Sequence, residues 1–149
     1  MKKTIKIIAL ITLLVFVFIF SSCGGGEKFD ADAAYNSLLT EVQFAEELID
    51  TSAQANYVFY DLPENTTVKM HTTASQYPDC VIMFTVEDKT QVNLVKTSID
   101  TYLDEKLNQM QNYHPDEVIK VQNAVVFTND VNVFLVITSD TNTVNEILK

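Results

Sequence analysis

Fourteen residues, Ile7 to Phe20, run without a charge and with Thr12 as their one polar interruption, behind Lys2, Lys3 and Lys6. A helix that spans a bilayer needs about 20 apolar residues, so this stretch has the length of a secretory leader and not of a transmembrane span. Taking residues 1–22 as a leader and 23–29 as a tether leaves residues 30–149 to fold. That length suits one domain with one modest core. The chain is 47% hydrophobic and 20% charged, the balance of a globular protein and not of a disordered one.

The leader ends in Phe20-Ser21-Ser22-Cys23-Gly24-Gly25-Gly26. This resembles the lipobox of bacterial lipoproteins, with Phe20 where a leucine is usual. The resemblance implies that the Cys23 thiol receives a diacylglycerol before cleavage. The expected location is therefore the cell membrane, lipid-anchored, facing away from the cytoplasm. The three glycines then serve as a flexible spacer. With Cys23 acylated, Cys80 is the remaining thiol, and one thiol closes no disulfide within the chain. The fold must be held by its core.

Removing the leader takes three of ten basic residues and none of the 20 acidic ones, leaving seven against 20 and a formal charge of −13. A field of that sign repels phosphate backbones and anionic head groups, which argues against nucleic acid or a polybasic membrane contact. All the basic residues are lysines. Without arginine the chain has no forked donor for bidentate capture of an anion.

Tyr35, Leu38, Leu39, Val42, Ala45, Leu48 and Ile49 recur at helical spacing, predicting a first helix over residues 31–50 capped by Asp30 or Asp32. Residues 57–60, 67–73 and 79–86 read as strands, rich in β-branched and aromatic residues and parted by turn formers. A second, longer helix is expected over 89–111, with Asp88 as its cap and Pro115 as its stop. Two strands follow, 124–128 and 131–139, around a tight turn at Asn129-Asp130, and a terminal helical turn covers 142–148. The order α-β-β-β-α-β-β-α predicts an α+β fold: an antiparallel sheet of about five strands with two main helices packed on one face. Val133 to Ile137 is nearly continuous in apolar residues, so that strand is expected to lie inside the sheet.

Tyr113-His114-Pro115-Asp116-Glu117-Val118, Gln122-Asn123-Ala124-Val125 and Val133 to Ile137 together resemble a family of Gram-positive bacterial lipoproteins labelled domain of unknown function 4358. The likeness runs from about Tyr57 onward. It implies a lipobox, a short spacer and an α+β domain, and it implies no activity.

Candidate sites are few. Cys80 with His71 or His114 is the sharpest nucleophile pairing. Strand parity opposes His71, because Val68, Met70 and Thr72 share the face that Cys80, Ile82, Phe84 and Val86 would join. Asp100, Asp104 and Glu105 fall within one and a half helical turns, but Lys96 and Lys106 stand nearby as partners and the face reads as wet. Neither histidine has the ligand spacing of a zinc site, and no nucleophile elbow, phosphate loop or dinucleotide fingerprint is present. No cofactor is implied. The most distinctive surface segment is a loop at Tyr113, His114, Asp116 and Glu117, read either as a helix stop with Tyr113 folded onto the core or as a partner-binding loop. The expected function is a non-enzymatic binding module meeting a protein or envelope partner at that loop or at a sheet edge. The alternatives are a small-molecule or peptide-binding lipoprotein serving a transporter, which needs a pocket of some hundreds of Å³, and a hydrolase.

Overall fold

The computed structural model describes residues 28–149, so the leader, Cys23 and most of the spacer lie outside the described residues. Helix α1 spans Ala31–Glu41. Asp30 caps it by accepting the Ala33 N–H at 3.0 Å, and Asp32 adds negative charge to its first turn. The helix ends nine residues short of the predicted boundary, with Val42 already extended at ψ 140°. Tertiary bonds explain the early stop. Thr138 Oγ1 donates to the Gln43 carbonyl at 2.7 Å, and the Ala45 N–H donates to Asp79 Oδ1 at 3.3 Å. Both would be lost if the helix continued. The segment then enters the sheet as β1, Leu48–Asp50, which the apolar spacing had assigned to the helix.

The predicted strand at 57–60 is instead a short helix, α2, Ala55–Val58, behind a 3₁₀ turn at Ser52–Gln54. Phe59 drops into the core there, its ring 4.9 Å from Phe84 and 4.8 Å from Tyr102. Strands β2 (Thr67–Thr73) and β3 (Cys80–Thr85) follow as expected. The long helix α3 covers Val92–Tyr113. Ahead of it, Asp88 forms a capping box with Gln91 around a 3₁₀ turn. Pro115 opens a second 3₁₀ turn leading to α4, Val118–Gln122. Strands β4 (Val125–Asn129) and β5 (Asn132–Ile137) form a hairpin whose turn holds Asp130 at φ 56°. Helix α5, Thr141–Ile147, is capped by Asp140.

The five strands make one antiparallel sheet in the order β1-β2-β3-β5-β4, which gives the α+β class expected. The helices do not share one face. Alternate residues of β3 and β5 build two separate clusters: Cys80, Ile82, Phe84, Val133, Leu135 and Ile137 pack under Val95, Ile99 and Tyr102 of α3, whereas Val81, Met83, Phe134 and Val136 pack under Tyr35 and Leu38 of α1 and Val144 of α5. Because both inner strands are apolar on both sides, each face needs a helix layer to keep it from water. That requirement places α1 and α3 on opposite sides.

Candidate functional site

Cys80 is fully buried, and loss of solvent pushes its thiol up to about 12. Such a thiol stays protonated near neutral pH and is a poor nucleophile. His71 lies on the other face of the sheet, as parity predicts, where its Nδ1 meets the Tyr35 hydroxyl at 2.8 Å. Burial raises the Tyr35 hydroxyl well above its ordinary range. His114 Nε2 contacts Gln76 Oε1 instead of the cysteine. The structure therefore assembles no nucleophile from these groups.

The segment at Tyr113 to Glu117 is not a free loop. Tyr113 closes the last turn of α3 and is 74% exposed, so it does not fold back on the core. Asp116 lies exposed in the 3₁₀ turn that Pro115 begins. Glu117 points the other way, onto Lys120 at 2.7 Å. Lys120 also pairs with Asp79 at 2.9 Å, and the Asp79 side chain is completely buried. Burial pulls the Lys120 ammonium down, but its bonds to Glu117 and Asp79 outweigh that and hold it above its ordinary value. This triad clamps α4 to the head of β3, and nothing in the sequence pattern announced it.

Asp100, Asp104 and Glu105 are exposed on α3. Among the described residues, no group of three or more His, Cys, Asp or Glu side chains is arranged to hold a metal ion. Lys106 does not pair with those acids. Its Nζ donates to Gln109 at 3.4 Å and sits 5.7 Å above the Tyr102 ring.

What the structure adds is a groove of about 350 Å³ between β2, α2 and the C-terminal half of α3. Four of the chain's six tyrosines line it: Tyr57, Tyr60, Tyr77 and Tyr102. Tyr102 and Met70 form its floor, at 6% and 2% exposure, while Tyr57 and Tyr60 stand at its mouth at 79% and 61%. Gln54, Thr72, Glu105 and Gln109 place polar groups around the rings. The residues that build it come from three segments. Tyr57 lies in α2 and Tyr60 just past its end, beyond the extended Phe59, and Tyr77 comes from the connection between β2 and β3. That connection is held by Thr73 Oγ1, which donates to the Tyr77 carbonyl at 2.8 Å, and by the contact of Gln76 with His114.

Sequence reasoning assigned these tyrosines separately to a strand, a loop and a core face. No periodicity in the sequence joins them, because Tyr60 lies past the end of α2 and Tyr77 in the connection between β2 and β3. A concave site with convergent polar groups can hold a small ligand, and this volume lies at the small end of the range of about 300–1,000 Å³, although its lining is more polar than that of most such sites. The rings supply flat stacking surfaces with a polar tip. Residues 51–138 match the sequence profile of a family described as a domain of unknown function, DUF4358. No curated protein and no solved structure matches the chain.

Proposed function

The chain belongs to the family of domain of unknown function 4358, and on that premise we propose that it is a lipid-anchored, extracytoplasmic binding module that takes its ligand in the tyrosine-lined groove without transforming it. The observation that carries this reading is the groove itself, about 350 Å³ with four tyrosines around it. Its support against catalysis is chemical. Among the described residues its lining holds no cysteine or histidine, and the Cys80 thiol is kept protonated by burial. The lipid anchor rests on Cys23 and the residues around it. Tethering by that cysteine would keep the acidic domain at the membrane surface with the groove free to sample its surroundings.

The groove favours a ligand of small cross-section, a small molecule or a peptide segment, over a flat protein partner at the Tyr113 turn. A binding lipoprotein that serves a transporter is the second reading, favoured by the same volume. Two measurements test the proposal on the full chain in cells. Radiolabelled fatty acid should attach to the protein and be lost in Cys23→Ala. A photo-crosslinking residue placed at Tyr57 should capture a ligand, whereas one placed at Tyr113 should not. Labelling that survives Cys23→Ala overturns the anchor, and equal yields from the two positions overturn the groove.

A further inference from the structure

We propose that the groove recognises an ammonium group on an alkyl chain, supplied by an aliphatic polyamine or by the side chains of a lysine-rich peptide. This deepens the reading of the groove as the ligand site and rests on it.

Three observations converge. The molecule already uses its tyrosine faces in this way: every cation–π contact among the described residues sets a lysine ammonium over a tyrosine ring. Two of them are at the groove, with Lys106 Nζ 5.7 Å from the Tyr102 centroid and Lys120 Nζ 5.4 Å from that of Tyr77. The rings at the mouth, Tyr57 and Tyr60, are the most exposed of the four and carry no such cation. Faces of tyrosine rings attract alkylammonium groups through the ring quadrupole, more strongly once water is excluded.

Charge supplies the second argument. The chain carries a formal charge of −10, and −13 without its leader, with all its own cations fixed on lysines. Glu105 adds a carboxylate to the groove wall. A field of this sign concentrates cations at the surface and repels anions. Lys106 opposes it locally, with its ammonium donating to Gln109 and lying over the Tyr102 ring, so the free ring faces are those of Tyr57 and Tyr60.

Shape supplies the third. A second hollow of about 100 Å³ shares Val58, Tyr60 and Tyr102 with the groove, so the Tyr60 ring stands as a ridge between two depressions. A single compact ion would fill one of them. A flexible chain bearing ammonium groups at intervals can lie across the ridge and reach both.

The test uses the full-length lipidated protein in a neutral-head-group detergent, which offers no anionic lipid to bind the probes. Tyrosine emission is the readout, because the chain contains no tryptophan to mask it. Spermidine, tetralysine and a neutral oligosaccharide are titrated in parallel at physiological salt. Saturable binding of spermidine or tetralysine is expected, weakened about tenfold by Tyr60→Leu and by Glu105→Gln but retained by Tyr60→Phe, which keeps the ring face. Preference for spermidine identifies a free amine as the source, and preference for tetralysine a peptide. Amine binding that is insensitive to Tyr60→Leu and vanishes with added salt is attraction to a generally acidic surface and overturns the proposal. Ring-dependent binding of the oligosaccharide alone overturns the ammonium class while leaving the groove as the ligand site. If none of the three probes binds, the ammonium proposal fails, and capture from a crosslinker at Tyr57 decides whether the groove reading fails with it.

Discussion

Asp140 shows how one side chain can join distant parts of the chain. Its carboxylate accepts the Thr143 hydroxyl at 3.0 Å and the Gln43 N–H at 3.3 Å, so it caps α5 and also holds the segment that leaves α1. The Thr143 hydroxyl first, then the Gln43 N–H, hold this carboxyl below its ordinary 3.8. A carboxyl with a lowered folded-state value stabilises the protein above its unfolded value and loses that contribution as pH falls through the folded one. Asp140→Asn should therefore lower the melting temperature at pH 7, and the gap from the parent should narrow below about pH 4. A gap that stays constant down to pH 2 would show that the charge is not what matters. The helical cap at Asp140 follows from an aspartate set just before a helical run, but its second bond spans 97 residues of chain. The same holds for Asp79, whose partners Ala45 and Lys120 come from opposite directions in sequence. Local pattern carries the first kind of contact and is silent on the second.

Elements whose apolar spacing is strong and local were legible: α3, β2, β3 and the β4–β5 hairpin lie within a few residues of their expected bounds. The errors fall where a tertiary contact overrides local preference. Leu48 and Ile49 continue the helical spacing of α1, yet they extend because β2 offers an unpaired edge opposite Thr73 and Thr72. Tyr57 to Tyr60 has strand composition, yet its first two residues close α2 and Phe59 follows in extended form with its ring in the core. Phe59 thus fixes α2, and with it the two tyrosines at the groove mouth. Phe59→Ala should cost about 3 kcal/mol, because a ring packed on Phe84 and Tyr102 leaves a cavity behind. In urea the midpoint should fall with the slope unchanged. If the variant is as stable as its parent, α2 is held by something other than this ring. The groove could not be foreseen because it exists only once α2 has formed.

At the scale of the whole molecule, the sheet is shared between two apolar clusters instead of capping one. Leu38 reports on one and Ile99 on the other, both fully buried. Since β3 and β5 contribute to both, neither cluster can dissolve while the other stays intact, and unfolding should be one transition. Leu38→Ala and Ile99→Ala should each cost about 2–5 kcal/mol. Melting curves followed by backbone and tyrosine signals should coincide in both variants; two separate steps would mean that the faces melt independently. The double-sided packing also bears on alignment. Val81 to Phe84 and Val133 to Ile137 are apolar at every position, so sliding either strand by one residue would trade one oily side chain for another at almost no hydrophobic penalty. What distinguishes the native pairing is polar and sits at the strand ends: Thr85 Oγ1 donates to Asn132 Oδ1 at 2.8 Å at one end, and Asp79 and Thr138 find their partners just past the other. These few hydrophilic contacts act as keys in a lock that greasy residues alone would leave free to turn.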